Sequence, residues 1–405
     1  MHPLMSTPLV TYAGLGLNLL STPMLTRTVG ADGRGVIAGS FVVLQIMLWI
    51  SFLGLPRGLS LRARERDEVS AAGVVTLTGL GLLGAVLVVA LAPVISGGDD
   101  RIETGIRVSA LVLPLAGLAH LGTEIVLVRG RLIAFNAIRS MVLVVPSLGY
   151  IVAFLAGSLS VVVAYGVTLL GQMLAVLCGL VVAVPALRGA RRRALPWSFS
   201  LRYWIASAMD GVTSRLDQLI LTATVSASVL GVYAVAVTCA YATGGLTQAI
   251  NHWTYSQMAA HPASAQRLVR SRAQIGVVLS LATGVAVVAA VAALGTRIFG
   301  ADFDGLTPVV AVLVLAQLLH DQWSLRVYRD SAREEGSAIA LSSAVSVVVL
   351  TAGAGALQVL GLLDGVTMAV AVVLSNATRL AVRGLLRRSS RSRRSARGAD
   401  RGGES

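Results

Sequence analysis

The chain has 405 residues, of which 55% are hydrophobic and only 13% charged, and it carries a formal charge of +14. These proportions exclude a soluble domain built round one core and place most of the chain in lipid. In a soluble protein the positive excess would point to nucleic acid; here the distribution of arginines among loops accounts for it, and no nucleic-acid partner is expected.

Twelve apolar stretches follow one another: Pro8–Leu25, Val36–Leu55, Ala71–Ile95, Val108–Val128, Leu132–Leu155, Leu159–Val184, Tyr203–Val225, Val229–Trp253, Ile275–Leu294, Leu306–Trp323, Ala338–Leu360 and Val366–Leu386. About 20 apolar residues at about 1.5 Å each cross a hydrocarbon core of about 30 Å, so each stretch is long enough to span. Spanning strands would alternate apolar and polar residues, and no such alternation is present. The expected fold is an all-α integral membrane protein with twelve transmembrane helices.

All 33 basic residues are arginines, and they fall on every second loop. With the N-terminus inside, the inner segments hold Arg57 to Arg66, Arg129 and Arg131, Arg188 to Arg202, Arg267 to Arg272, Arg326 to Arg333, and a tail from Arg383 to Arg401. The outer loops hold only Arg27, Arg34, Arg101, Arg107 and Arg297. The positive-inside rule then gives a multi-pass protein of the cell membrane with both termini cytoplasmic. Arg27, directly after the first helix, is the one local signal against this orientation. The first 24 residues lack a basic n-region and a small-residue cleavage site, so the first helix is expected to remain in the mature protein. Cys178 and Cys239 sit in apolar helices and read as packing residues.

The polar connector 188–200, with Arg191, Arg192, Arg193 and Pro196, separates an N-terminal six-helix lobe, 1–187, from a C-terminal one, 201–388. Residues 389–405 read as a disordered basic cytoplasmic tail held near anionic lipid. Gly35-Val36-Ile37-Ala38 and Gly231-Val232-Tyr233-Ala234 recur at an offset of 196 residues, a sign of internal duplication. Halves with an even number of helices share one orientation and can rock about a central cleft.

Ionisable groups at bilayer depth are costly and mark cavities or partners. The seventh stretch reads Asp210-Gly211-Val212-Thr213-Ser214-Arg215-Leu216-Asp217-Gln218. On one continuous helix, Asp210 and Asp217 lie within about 20° of each other and Arg215 projects away. The carboxylates either line the cleft, binding a cation, a proton or a substrate head, or Arg215 and Asp217 form inter-helix pairs. His120 with Glu124, and Gln317 with His320 and Asp321, are further candidates for a proton path or plain helix-end polar clusters. Arg27 either reaches a phosphate or snorkels, and Arg139, beside Asn136, snorkels. No phosphate-binding loop, HExxH or CxxC is present, so no catalytic residue, metal site or cofactor is expected. Asp302-Phe303-Asp304 has the look of a glycosyltransferase Asp-x-Asp but lies in a short outer turn.

Several segments together resemble one family. Leu25-Thr26-Arg27-Thr28-Val29-Gly30-Ala31-Asp32-Gly33-Arg34-Gly35 resembles the end of helix one and the first outer turn of polysaccharide and lipid-linked oligosaccharide flippases. Gly54-Leu55-Pro56-Arg57 is similar to the end of helix two, and Ser214 to Leu221 with Leu230 to Ala236 to helices seven and eight. Ile298 to Phe303 is similar to the turn before helix ten. The resemblance implies the multidrug/oligosaccharidyl-lipid/polysaccharide (MOP) exporter superfamily, with a MATE-like fold of two six-helix lobes round a central cavity. It further implies a transporter, not an enzyme, that flips a polyprenyl-(pyro)phosphate-linked saccharide from inner to outer leaflet by alternating access. Sugar-transfer enzymes and a polysaccharide polymerase are the implied partners. A cationic cavity would suit the pyrophosphate, which favours Arg27 and Arg215, with Asp210, Asp217, Glu124, His320 and Asp321 as candidates for coupling. An ion-coupled multidrug exporter is the alternative, followed by a membrane glycosyltransferase or polymerase.

Overall fold

The computed structural model describes residues 3–66, 69–188, 194–260, 265–331 and 336–402. Among these residues the chain is almost wholly helical and contains no strand. The helices are α1 Pro3–Ile50, α2 Leu55–Arg66, α3 Ala71–Ile95, α4 Asp100–Ala110, α5 Leu113–Val128, α6 Leu132–Leu155 and α7 Val161–Arg188. They continue as α8 Trp197–Thr213, α9 Leu216–Thr224, α10 Ala227–Ala260, α11 Ala265–Phe299, α12 Leu306–Ser331, α13 Gly336–Val359 and α14 Gly365–Gly402. Nine of the described helices are long and apolar enough to cross a membrane, or ten if α4 and α5, bent by 52° at their junction, make one span.

The expected count of twelve is not reproduced, for local reasons. The first two expected spans share α1, whose run is interrupted only at Gly30 (φ 69°, ψ −176°). A Cβ at that φ would be strained, so glycine supplies the kink and a longer loop is unnecessary. The fourth expected span breaks before Leu113, where Pro114 sits in the first turn of α5. The seventh is carried by α8 and α9, of 17 and 9 residues. α14 runs on to Gly402 through the segment read as tail, in keeping with the helix-forming tendency of arginine and alanine. Residues 189–193 of the connector lie outside the described residues.

The helices pack as two compact units, Met1–Ala242 with Val287–Val310, and Thr243–Ala286 with Ala311–Ser405. In the first, Phe41, Val43 and Leu44 of α1 pack with Ile102 and Ile106 of α4 and Tyr150 of α6. Leu55 and Leu59 of α2 join Leu77 of α3 and Leu121 and Ile125 of α5 in a neighbouring core. Large apolar side chains on the outer faces, such as Val75, Val86 and Val94 of α3, stay exposed, as lipid requires.

The repeated Gly-Val-x-Ala motif marks a helix crossing in this unit. A Cβ on Gly35 would lie 1.7 Å from the carbonyl oxygen of Ala227, and one on Gly231 would lie 1.8 Å from that of Ala31. Ala31 and Ala227 are themselves related by the 196-residue offset, so both copies are small-xxx-small pairs. Between helices in lipid, such pairs let the backbones touch and gain dispersion contact where no hydrophobic force operates.

Candidate functional site

The α8–α9 break sets the geometry of the first unit's polar site. Ser214 and Arg215 leave the helix, Arg215 with φ −136° and ψ −4°, while Ser214 Oγ and Thr213 Oγ1 donate to the carbonyls of Gly211 and Met209. The shared stripe expected for Asp210 and Asp217 presupposes one continuous helix, and the chain is interrupted between them. They lie on different helices, and a phase carried at 100° per residue does not survive the interruption. The side chain of Asp210 lies outside the described residues.

Asp217 is in the first turn of α9, where the positive end of the helix suits a carboxylate. It is buried, and its two oxygens are served separately: Oδ1 by the backbone N–H of Gln218 at 2.8 Å, Oδ2 by the Tyr233 hydroxyl at 2.6 Å. Tyr233 belongs to the repeated motif on α10, so the crossing that brings Gly231 to α1 also brings the phenol to Asp217. Arg215, half-buried, lies with its guanidinium 5.7 Å from the centre of the Tyr241 ring.

Arg34 was read only as an outer-loop arginine, and the structure gives it a different place. On the second arm of α1, its Nε is buried and has no hydrogen-bond partner. Its charge is close enough to Arg215 and to the Tyr150 phenol to be felt by both. The Tyr150 hydroxyl in turn shares a 2.5 Å hydrogen bond with Thr168. Two guanidiniums and several hydroxyls therefore gather in one unit, a set that presents donors to an anion. The sequence signal was the position of Arg34 one residue before Gly35, the glycine that meets the backbone of α10.

The other expected residues are scattered. Arg27 is exposed and donates from Nη2 to the carbonyl of Arg297 in the last turn of α11, where a cation satisfies a helix C-terminus. Glu124 accepts from Arg57 of α2 at 2.7 Å, both side chains being about a quarter exposed, and His120, one turn away, meets the Phe52 ring edge-on. Arg139 is exposed and lies over Phe135. At the start of α4, Arg101 bridges Asp32 at 2.6 Å and Asp99 at 2.8 Å beside a cavity of about 580 Å³.

In the second unit, His320 and Asp321 are neighbours on α12 with separate surroundings. His320 Nδ1 lies 3.2 Å from Arg379 Nη2. Asp321 is fully buried and accepts from Gln317 Nε2 at 2.8 Å and from Ser280 Oγ at 3.1 Å, while Ser280 also meets Thr247 at 2.9 Å. A carboxylate held only by neutral donors exchanges a proton or a small cation more readily than one locked to a guanidinium. Among the described residues no group of three or more His, Cys, Asp or Glu side chains is arranged to hold a metal.

A family model described as polysaccharide biosynthesis protein matches residues 24–308. No curated protein matches the sequence. Among solved structures, the lipid II flippase MurJ in an inward closed conformation superposes with a TM-score of 0.71 at 9% identity, covering 94% of this chain and 86% of that one. An inward-facing multidrug-resistance MATE transporter of the MOP superfamily gives 0.66 at 16% identity, covering 95% and 98%. An outward-facing one gives 0.60 at 15%, covering 96% and 94%.

Proposed function

We propose that this chain, which belongs to the polysaccharide biosynthesis protein family of the MOP superfamily, flips a polyprenyl-(pyro)phosphate-linked saccharide across the cell membrane. The flippase and MATE transporter folds agree with a transporter. The observation that carries the substrate reading is the buried Nε of Arg34, which has no hydrogen-bond partner, in the unit that also holds half-buried Arg215. A buried N–H lacking a partner is costly unless an acceptor visits it. A phosphate linked to a polyprenyl chain supplies the oxygens while its tail stays in lipid. Tyr150 and Thr168 offer hydroxyls for the saccharide.

Asp321 and Asp217, each held by neutral donors, are the groups assigned to coupling, whereas Glu124 is tied to Arg57. Two six-helix lobes, 1–187 and 201–388, would rock to expose the head first to the cytoplasm, where both termini lie, and then outside. Sugar-transfer enzymes would supply the substrate and a polymerase would consume it. The runner-up, ion-driven export of small organic cations, is favoured by the MATE folds but would place two arginines against a cationic cargo.

The test is leaflet exchange of a fluorescent polyprenyl-diphosphate saccharide in proteoliposomes. Arg34→Gln and Arg215→Gln should each slow the exchange at least about tenfold, the loss expected for one charged hydrogen-bonding partner, with membrane insertion unchanged. Exchange no faster with the native protein than without it would remove the flippase reading.

A further inference from the structure

Among the described residues Leu53 is the one non-glycine residue with a positive φ, at 49°. With Gly54 at φ 68° it turns α1 into α2, and the Leu55 N–H closes the turn on the Phe52 carbonyl at 2.9 Å. Left-handed backbone is costly for a leucine and persists only where its surroundings impose it; such outliers gather at switch regions. Here the neighbour that imposes it is the start of α8. A Cβ on Gly54 would overlap the carbonyl oxygen of Ser200, and one on Gly58 would overlap Ser200 Oγ and lie 2.9 Å from Pro196 Cγ. The turn and the first residues of α2 are therefore pressed against α8, within the first unit.

A second cost of a different kind falls on the same joint. Ser200 is 0% exposed, and its Oγ has no hydrogen-bond partner. A buried hydroxyl that neither donates nor accepts has lost the hydrogen bonds that water gave it. Two hydrogen bonds hold the joint closed against these costs. Trp204 Nε1 donates at 3.0 Å to the carbonyl of Ile50, the last residue of α1, which the helix itself leaves unsatisfied. Arg62 Nη1 donates at 2.6 Å to the carbonyl of Ala194 in an exposed position, where water competes for both groups.

We propose that the α1–α2 turn and the start of α8 form a strained gate, closed here, which opens as α8 leaves α2, Leu53 relaxes and water reaches Ser200 Oγ. Trp204 with Ile50 and Arg62 with Ala194 are its latches. Strain stored in the closed joint keeps the two states close in free energy, so that a cargo with different affinities for them can move the balance. The role as a gate rests on the transport reading; the two-state joint does not.

The chain has five tryptophans, so labelling the indole nitrogens of the full chain in nanodiscs gives one N–H signal for each. The signal missing from Trp204→Phe is that of Trp204, and exchange of its proton for deuterium reports opening even when the open state is rare. Leu53→Gly removes the backbone strain and Ser200→Ala the unsatisfied hydroxyl, so each should slow that exchange at least about fivefold. Either variant carries the test if the other does not fold. Arg62→Gln removes a latch and should speed exchange, while Trp323, in the second unit, keeps its rate throughout. Unchanged or faster exchange in Leu53→Gly and Ser200→Ala would overturn the strained joint. Slower indole exchange with unchanged leaflet exchange of the fluorescent saccharide would overturn its role as a gate. No leaflet exchange by the native protein would remove that role together with the transport reading, and the joint itself would still be decided by the indole rates.

Discussion

Gly231→Ala tests the contact on which the first unit's architecture turns. The new Cβ would sit 1.8 Å from the Ala31 carbonyl oxygen and 2.9 Å from the Gly35 nitrogen, and both are backbone atoms that cannot rotate away. To take 1.8 Å out to 3.0 Å, the tightest separation ordinarily met, the two helices must part by about 1.2 Å along that line. Overpacking costs about 1–3 kcal/mol when side chains can adjust, and here the upper end applies. Alanine returns about 1 kcal/mol as the better helix former. The net loss is about 2 kcal/mol, roughly a thirtyfold change in the folded-to-unfolded ratio. Unfolding in a graded denaturing detergent would measure it, with Gly166→Ala as control because nothing lies within 4 Å of its Cβ position. Gly35→Ala should behave like Gly231→Ala, and the double variant should lose less than the sum, since one opening of the crossing accommodates both. Equal stability of Gly231→Ala and Gly166→Ala would refute the reasoning.

Two further outcomes are expected. Tyr233→Phe strips the Oδ2 donor from buried Asp217 and should cost about 1–3 kcal/mol in the same assay, with Asp217→Asn recovering part of it in the double variant; strict additivity would break the pairing. The hydrogen bond from Arg101 holds the Asp99 carboxyl below its ordinary 3.8, helped by the backbone N–H groups of Arg101 and Ile102 against the opposing effect of burial. A depressed carboxyl contributes stability that is complete above its unfolded value and lost as pH falls through the folded one. Below about pH 4, amide exchange at Arg101 and Ile102, corrected for its intrinsic rate, should therefore rise in the native protein and change little in Asp99→Asn. The same profile in both would remove Asp99 as the cap of α4.

The polar sites were legible to different degrees. Asp217 and Asp321 stood out in sequence because a carboxylate inside an apolar run is conspicuous. Their partners did not: Tyr233 is 16 residues from Asp217, and Ser280 is 41 from Asp321. The helical-wheel placement of Asp210 beside Asp217 falls on a side chain outside the described residues, with the helix interrupted between the two positions. A wheel assumes continuity, and nothing in Thr213-Ser214-Arg215 announces a break as a proline would. Arg34 was passed over because it stands among loop residues, Asp32 and Gly33, and looks like a turn arginine. Gly30 kinks the chain in a single residue, and four residues later the Nε of Arg34 is buried without a partner.

Local composition alone determined that the chain is helical and lies in a membrane, because the cost of unpaired backbone in lipid leaves few other solutions for long apolar runs. The loop arginines gave an orientation, and the 196-residue repeat marked the glycines that matter. Only the tertiary structure decided what those glycines touch, where spans break, and which charges are paired. Glu124 joins Arg57, Arg27 caps α11, and the Nε of Arg34 is buried without a partner. Hydrophobic length is a property of each segment taken separately, whereas the energy of a buried charge depends on neighbours brought from distant parts of the chain.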